Sequence, residues 1–346
     1  MIKRSSVLDF MMPAEWEPHE RCWMAWPCRP ATWTGRVEGR IGGIGAARQA
    51  YAAVAHAISE FEPVTMICQP QDVASAKAAC GPAVDVLPID ISDSWSRDTG
   101  PTFVRKGEGG LAMIDWQFNS WGDDRPGYEA DKVLPAALAK QLGLDRVEAD
   151  FVFEGGAVHV DGEGTALVVE ECVLHSNRNP GMTKSGFESR MRQYLGIEKV
   201  IWLPRGLIDD ETDGHVDEVA CFAGPGHVLA MVTSDQDDAN FERLRDNLCA
   251  LNAATDSKGR SLRVTQVPQP SGHHYTNGER VSLSYVNFYL ANEGLVMPAF
   301  GVPEDDAAFA ILQSVFPAHR VVQVPAFAIA LGGGCIHCIT QQQPIA

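Results

Sequence analysis

Four motifs that are far apart in the sequence contain the side chains best suited to chemistry. A cysteine, a histidine and three carboxylates stand out in Trp95-Ser-Arg-Asp98-Thr-Gly-Pro101, Phe153-Glu154-Gly-Gly156, Glu211-Thr-Asp-Gly-His215-Val-Asp217 and Gly332-Gly-Gly-Cys-Ile-His-Cys338-Ile-Thr340. This set is unusual unless the substrate is a cation. A guanidinium group fits it because the group is planar, rich in N–H donors and always protonated, so carboxylates can accept paired hydrogen bonds in its plane.

Cys338 is the candidate nucleophile, because a polarizable thiolate can attack the guanidinium carbon from above its plane. A bound cation lowers the cost of ionising a thiol that the carboxylates would otherwise keep protonated. Residues two apart share a face of a strand, so Cys338 and its neighbour His337 are expected to point to opposite sides. We therefore predict that His215 is the acid–base partner, which protonates the departing ammonia and then activates water against a covalent amidino-thioether.

The residues alone leave other interpretations open. His215 and Asp217 could supply two ligands of a metal site from one strand face. Cys335, His337 and Cys338 could form a non-catalytic metal or redox module, although no second cysteine pair accompanies them. The three glycines before Cys335 could bind phosphate, but no lysine and no long helix follow. The acidic residues of the first two motifs could instead belong to a simple turn and a solvated surface.

A repeated unit is predicted to position these motifs. An apolar strand, a Gly-rich turn and a second apolar strand occur four times, with turns 55, 62 and 68 residues apart at Glu108, Glu163, Pro225 and Glu293. Helix-like segments with apolar residues at three- and four-residue intervals lie between the hairpins, over 128–142, 187–195, 235–252 and 304–316. Short strands such as 199–203 and 320–324 follow several of them. The unit is therefore hairpin, helix, strand.

A fifth unit requires the two ends of the chain to pair. We expect the segment 336–340 to pair with the segment 22–26, which a helix over 46–60 and a strand over 64–68 would follow. Repeats that bury their faces against neighbours favour one closed α/β domain, residues 1–346, over two domains. Each motif lies just before or at the start of a hairpin, so the strand starts could face one centre.

Composition narrows the class of partner. The 346 residues are 45% hydrophobic and 21% charged, which is typical of a globular chain rather than a disordered one. The net charge of −17 disfavours a nucleic-acid backbone or an anionic membrane and favours a small cation. No apolar run approaches a membrane span of roughly 18 residues. Nine cysteines, mostly scattered singly, do not suggest disulfides, so we expect a cytoplasmic protein.

The chain also resembles the agmatine deiminases, a family of the bacterial peptidylarginine deiminase type within the guanidine-modifying pentein superfamily. The similarity runs nearly end to end through motifs in the family's order, which are Met12-Pro-Ala-Glu-Trp-Glu-Pro-His19, Trp26-Pro-Cys-Arg-Pro30, Trp95 to Pro101, Phe118-Asn-Ser-Trp-Gly122, Glu154-Gly-Gly156, Asn177-Arg-Asn-Pro180, Thr212 to Asp217, Ser284-Tyr-Val-Asn-Phe-Tyr289 and Gly332 to Gln342.

The resemblance implies a fold and a reaction. The expected fold is the pentein α/β propeller, with five pseudo-symmetric ββαβ units around a central active site. The expected reaction converts agmatine and water into N-carbamoylputrescine and ammonia, without a metal or a cofactor. Deimination of peptidyl-arginine or another alkylguanidine, and amidino transfer to an amine, are the alternatives with the same residues. A homo-oligomer is also implied.

The resemblance assigns roles to the residues that chemistry had already selected. Cys338 matches the family's nucleophile and His215 its general acid and base. Asp98 and Asp217 match the carboxylates that grip the guanidinium group. Glu154 matches the glutamate that holds the substrate and orients His215.

Two further residues are implied for substrate binding. Trp95 matches an aromatic wall of the pocket, and Glu211 matches an acidic residue that favours the far ammonium group of agmatine. Three places differ from the family. Cys335 stands where the family usually has asparagine, Asp9 lacks the glycine that commonly follows it, and the loop beginning at His273-His274 is unlike the usual one.

Overall fold

The computed structural model describes residues 10–107, 109–122, 127–272 and 275–346, and the strands found there form five small sheets. The strands are β1 Phe10–Met11, β2 His19–Ala25, β3 Val64–Cys68, β4 Val84–Pro88, β5 Thr102–Lys106, β6 Leu111–Gln117, β7 Asp145–Val152, β8 His159–Val160, β9 Thr165–Val169, β10 Lys199–Leu203, β11 Ala220–Gly224, β12 His227–Val232, β13 Arg263–Pro268, β14 Tyr289–Ala291, β15 Gly294–Ala299, β16 Arg320–Pro325 and β17 Thr340–Pro344. The sheet orders are β17-β2-β3-β4, β1-β5-β6-β7, β10-β9-β8, β11-β12-β13 and β14-β15-β16.

Helices connect the strands. Within the described residues they are α1 Ile44–Ser59, α2 Val73–Cys80, α3 Ser96–Thr99, α4 Glu129–Leu142, α5 Glu170–Val173, α6 Lys184–Leu195, α7 Phe241–Ala253, α8 Glu304–Val315 and α9 Phe327–Ala330, with short 3-10 helices at Pro30–Trp33, Pro70–Asp72, Gly155–Ala157 and Val216–Glu218. None of these helices is both long and apolar enough to span a membrane.

All five sheets share one pairing pattern. An antiparallel pair is followed by a parallel pair in β5-β6-β7, β8-β9-β10, β11-β12-β13, β14-β15-β16 and β17-β2-β3. A parallel neighbour requires a crossover connection, which a helix supplies. The predicted unit of hairpin, helix and strand is therefore confirmed.

The two ends of the chain pair with each other. Strands β17 and β2 are antiparallel, with Thr340 opposite Met24 and Gln341 opposite Trp23. The prediction that the ends close the fifth unit is confirmed, but the C-terminal segment differs. Residues 336–339 form a turn, in which the backbone N–H of His337 bonds to Asn287 instead of a neighbouring strand. The strand therefore begins only at Thr340.

Helix α7 begins six residues later than the periodicity predicted. Asp235 and Asp238 accept hydrogen bonds from the backbone N–H groups of Asp237 and Asn240 at 3.0 and 2.8 Å. Short polar side chains that bond to nearby backbone favour turns over helix. The turn predicted at Glu108, the His273-His274 pair and Asp9 lie outside the described residues.

The segments that carry the motifs meet where the hairpins start. The 3-10 helices Gly155–Ala157 and Val216–Glu218 contact each other, and α3 contacts both the first of these helices and β17. Four separate sheets thereby bring their motif residues together. A single domain over residues 1–346 stays a prediction.

Candidate active site

A cavity of about 390 Å³ contains four of the predicted site residues in its walls, namely Trp95, Asp98, Glu211 and Cys338. The indole of Trp95 stacks on that of Trp33, with ring centroids 5.6 Å apart, so the aromatic wall is rigidly backed. Glu211 is exposed, whereas Cys338 is buried. The cavity thus runs from an acidic, solvent-facing side to a buried thiol.

Asp98 projects into the cavity from the short helix α3. Trp121 Nε1 donates to its Oδ2 at 2.8 Å, and the backbone N–H of Gly156 donates to its Oδ1 at 2.9 Å. Burial raises the pKa of the Asp98 carboxyl, and the nearby imidazole of His215 lowers it in part. The carboxyl is held in one orientation by two donors from different segments.

His215 lies between two carboxylates. Its Nδ1 is 3.9 Å from Asp98 Oδ2, and its Nε2 is 3.5 Å from Glu154 Oε2. Burial alone would lower the pKa of His215, but the charge of Asp98 and hydrogen bonding to Cys172 and Glu154 raise it well above its ordinary value. The imidazole can therefore hold a proton at neutral pH and deliver it as a general acid.

Glu154 is fixed from its other side. Arg178 Nε donates to Glu154 Oε1 at 3.0 Å, and both side chains are buried. Burial raises the pKa of Glu154, but hydrogen bonding to His215 and the charge of Arg178 outweigh it, so the pKa is lowered. Glu154 therefore stays ionised and can orient His215.

Gly156 makes the convergence of these groups feasible. A Cβ atom at this position would lie 2.5 Å from His215 Nδ1, 3.0 Å from Asp217 Oδ2 and 3.1 Å from Asp98 Oδ1. Such approaches are too close for a side chain, so only glycine lets the three groups surround this point. The glycines after Glu154 thus have a steric role in the site.

Cys338 Sγ contacts three side chains. It lies 3.6 Å from Asp217 Oδ2, 3.7 Å from Glu218 Oε1 and 3.1 Å from Asn287 Nδ2. Burial raises the pKa of the Cys338 thiol well above its ordinary value, and the charges of Asp217, Glu218 and Asp98 add to this. The resting thiol is therefore protonated, and a bound cation would favour its ionisation.

Asp217 connects the thiol to a buried polar chain. Its Oδ2 accepts from His337 Nδ1 at 2.7 Å, and His337 Nε2 lies 2.8 Å from Glu15 Oε1. Glu15 also lies 3.5 Å from Arg97 Nη1. Burial would raise the pKa of Asp217, but the bond and charge of His337 hold it below its ordinary value.

The other oxygen of the Asp217 carboxylate, Oδ1, has different surroundings. Asp217 Oδ1 is buried and has no hydrogen-bond partner among the described residues. A buried carboxylate oxygen without a donor is costly, so this atom is suited to a ligand that brings N–H groups.

Comparison with known proteins places the chain in a family. The profile of the Porphyromonas-type peptidyl-arginine deiminases matches residues 11–344. The chain belongs to this family. A Legionella pneumophila protein is 48% identical over 97% of this chain and 95% of its own length. An agmatine deiminase of Pseudomonas aeruginosa is 45% identical over the same shares.

A solved structure agrees with this assignment. The agmatine deiminase of Enterococcus faecalis matches with a TM-score of 0.90 and 35% identity, over 97% of this chain and 96% of its own. The fold is therefore the pentein α/β propeller that the sequence predicted, with one small sheet for each of its five units.

The family's five predicted site residues come together in this member. His215 contacts Asp98 and Glu154, Asp217 contacts Cys338, and Gly156 lies beside His215, Asp217 and Asp98. The expectation that His337 points away from Cys338 is wrong, because residues 336–339 form a turn and both side chains contact Asp217.

Sequence reasoning missed several residues of the site. Asn287 and Glu218 contact the sulfur, and Glu15 contacts His337. Asn287 and Glu15 lie within two motifs that the resemblance had selected, Ser284 to Tyr289 and Met12 to His19, without a role for either residue. Glu218 directly follows Asp217, the last residue of the motif over 211–217, and that position was its only signal.

Three groups of buried side chains within the described residues have ligand atoms close enough for one metal ion, namely Glu154, Cys172 and His215, then Asp217, Glu218 and Cys338, and finally Glu15, His159 and His337. His215 and Asp217 fall in different groups, because Val216–Glu218 is a 3-10 helix rather than a strand. Protons on His215 and His337 would have to leave before either imidazole could bind a metal. Cys335 and Cys338 are both free thiols.

Proposed function

We propose that this chain is an agmatine deiminase, which hydrolyses agmatine to N-carbamoylputrescine and ammonia. The observation that carries the proposal is the buried Asp217 carboxylate, which has one oxygen 3.6 Å from a nucleophilic thiol and the other without a hydrogen-bond partner among the described residues. A planar, protonated guanidinium group supplies the N–H donors for that oxygen and the electrophilic carbon for the thiol. The agmatine deiminases among the relatives support the same substrate.

Binding is the first step of the proposed reaction. Asp98 and Asp217 accept N–H groups in the plane of the guanidinium, while Trp95 forms a wall of the cavity. The positive charge of the substrate then offsets the carboxylates that keep the Cys338 pKa raised. Cys338, which lines the cavity, releases its proton to solvent and becomes a thiolate facing the guanidinium carbon.

The chemical steps follow from the protonation of His215. The thiolate forms an S–C bond with the guanidinium carbon, and the imidazolium of His215 gives its proton to the departing nitrogen, which leaves as ammonia. The neutral imidazole then takes a proton from water, whose oxygen attacks the amidino-thioether. The S–C bond breaks and its electron pair returns to sulfur, the added hydroxyl gives its remaining proton to the thiolate, and N-carbamoylputrescine is released. These steps use only the side chains described here.

The size and charge of the cavity favour a small free guanidine. Its volume of about 390 Å³ lies at the low end of the usual range for small-molecule sites. Glu211 is exposed in its wall. A carboxylate at this position attracts the far ammonium of agmatine and repels the carboxylate of free arginine.

Ammonia release from agmatine, free arginine and an N-acyl-arginine amide tests the proposal. We expect turnover of agmatine and N-carbamoylputrescine as its product. Robust turnover of arginine or of the peptide analogue without turnover of agmatine would refute it. Amidino transfer would be revealed by a guanidino product when an amine is added.

Substitution of two cysteines gives the matched control. Cys338→Ser removes the sulfur that lines the cavity, whereas Cys335→Ser changes a buried thiol three residues away. We expect the first variant to keep its fold and lose at least about 1000-fold in turnover, because a serine hydroxyl is a far weaker nucleophile near neutral pH. The second should retain turnover. Loss of fold without a specific loss of rate in Cys338→Ser would instead indicate a structural thiol.

The organisation of the whole chain is also proposed. Residues 1–346 are expected to form a single domain that assembles into a homo-oligomer in the cytoplasm. Limited proteolysis tests the single domain, and sedimentation measures the number of subunits.

A further inference from the structure

Asn287 is the closest polar contact of the candidate nucleophile. Its side chain is fully buried and lies two residues before β14. Asn287 Nδ2 is 3.1 Å from Cys338 Sγ, against 3.6 Å from the sulfur to Asp217 Oδ2. The proposed reaction assigns Asn287 no role so far, and none was predicted for it from the residues.

The backbone of the nucleophile loop fixes which end of the amide faces the sulfur. Asn287 Oδ1 accepts from the backbone N–H of His337 at 2.8 Å, and a backbone N–H can bond only to the oxygen end. The NH₂ end must then point toward Cys338. Its two hydrogens face three acceptors, which are the sulfur and Glu218 Oε1, both at 3.1 Å, and the backbone C=O of Asp217 at 3.3 Å.

The carboxyl groups around the Cys338 sulfur oppose formation of the thiolate, and a hydrogen-bond donor would offset this effect. The Asp217 carboxylate opposes ionisation of the thiol from 3.6 Å. Burial and the charge of Asp217 raise the pKa of Glu218 well above its ordinary value, so the Glu218 carboxyl opposes ionisation of the thiol less than Asp217 does. A hydrogen bond to a charged acceptor is stronger than one to a neutral acceptor, so an N–H group aimed at sulfur favours the thiolate over the thiol.

We propose that Asn287 is a catalytic residue, whose side-chain N–H stabilises the Cys338 thiolate. This inference rests on the proposed deiminase function, in which the thiolate occurs twice. It forms when the substrate binds and the thiol proton passes to solvent through the cavity, and it forms again when the S–C bond breaks and the electron pair returns to sulfur. Asn287 lowers the energy of both states and holds the turn that presents the sulfur.

Asn287→Asp removes the N–H donor and adds a carboxyl group next to the sulfur. The substitution keeps the shape and the oxygen that accepts from His337, but it replaces the N–H donor with an acceptor. Asn247→Asp is the matched control, because Asn247 is also buried and bridges the backbone N–H and C=O of Arg205. The readout is the rate at which iodoacetamide alkylates Cys338, measured from pH 6 to 10 by peptide mass spectrometry. In that reaction the thiolate displaces iodide, so the rate follows ionisation of the thiol.

We expect Asn287→Asp to slow alkylation of Cys338 at pH 8 by about 10- to 100-fold, which corresponds to loss of one hydrogen bond to a charged group. The pH profile should shift to higher pH, and kcat should fall more than KM rises. Asn247→Asp should leave the profile unchanged. Because alkylation needs no substrate, this test stands even if agmatine is not turned over, which would defeat only the proposed function.

Asn287→Ser keeps the test decisive if the aspartate variant does not fold. Its shorter side chain removes the amide donor without adding a charge, so we expect a smaller shift in the same direction. A folded variant of either kind whose alkylation profile matches that of the unsubstituted protein would overturn the proposal.

Discussion

Two buried clusters flank the short strand β14 and use the same kinds of side chain. The Asp217 cluster, before the strand, comprises Asp217, Asn287, His337 and Cys338. The Glu62 cluster, at the strand and after it, comprises His19, Glu62, Tyr289 and Asn292. Each pairs a carboxylate with a histidine out of water, but only the Asp217 cluster contains a residue that lines the cavity, Cys338.

The two clusters differ in the hydrogen bonds that their carboxylate oxygens accept. Glu62 Oε1 accepts from Tyr289 OH at 2.7 Å, and its Oε2 accepts from the backbone N–H of Asn292 at 2.8 Å. Asp217 has His337 on one oxygen and no partner among the described residues on the other. A satisfied buried carboxylate stabilises the fold, whereas a half-satisfied one is available to a ligand. The two clusters contain the same kinds of residue. What distinguishes the structural cluster from the reactive one is whether both oxygens of the carboxylate accept hydrogen bonds.

Among the substitutions that test this difference between the clusters, Asp217→Asn should give the largest loss of turnover. The amide keeps an oxygen for His337 but removes the negative charge that grips the guanidinium, so we expect turnover to fall at least about 1000-fold. The thermal midpoint of unfolding should change little. Asp115→Asn is the control, because Asp115 is buried and paired with Arg146. Retention of more than a tenth of the turnover by Asp217→Asn would contradict the proposed role.

The pH dependence of kcat/KM should be set by the Asp217 cluster and His215. The reactive form has lost one proton from the pair formed by the Cys338 thiol and the His215 imidazolium. The environment raises the pKa of both groups, so the acid limb should lie above pH 6.5 and the alkaline limb above pH 9. Activity should fall about tenfold per pH unit beyond each limb. An optimum at or below pH 6.5 would show that one of these directions is wrong.

Local sequence predicts the repeat, and distant contacts decide the rest. The strands over 199–203 and 64–68 were predicted to the residue, because short apolar runs are local signals. The turn at 336–339 was mistaken for a strand, because the bond that forms it comes from Asn287, 50 residues earlier. No periodicity within a segment can reveal such a partner.

The candidate site also contains residues that the sequence could predict and residues that it could not. Cys338, His215 and the carboxylates could be selected from the sequence, because their residue types fit one substrate chemistry. The contact between Glu15 and His337 joins residues 322 positions apart, so the local sequence around neither residue predicts it. Chemistry thus predicts the residues proposed to touch the substrate, whereas the contacts that support them are visible only in the folded chain.

Glu62→Gln should damage the fold rather than the chemistry. The new NH₂ group replaces an oxygen that accepts a hydrogen bond, so a buried donor loses its acceptor. We expect a loss of about 1–3 kcal/mol in the free energy of unfolding, measured by urea titration. Turnover of the folded fraction should stay within about twofold, since nothing in this cluster lines the cavity. A loss of turnover comparable to that of Asp217→Asn would show that the two clusters act as one unit.

Tyr289→Phe should give the smallest change in the free energy of unfolding. It is also the sharpest test of whether the hydrogen bonds to the Glu62 carboxylate stabilise the fold. The change removes one donor to Glu62 Oε1 and leaves a buried carboxylate oxygen with less support, so we expect a loss of about 1 kcal/mol in unfolding free energy and no change in turnover. Tyr194→Phe is the matched control, because its hydroxyl donates at 3.2 Å to Asp150, whose side chain is 65% exposed. Water can replace that donor, so the control should lose less. Equal losses in both variants would mean that burial of the carboxylate does not set the cost, and the distinction drawn between the two clusters would fail with it.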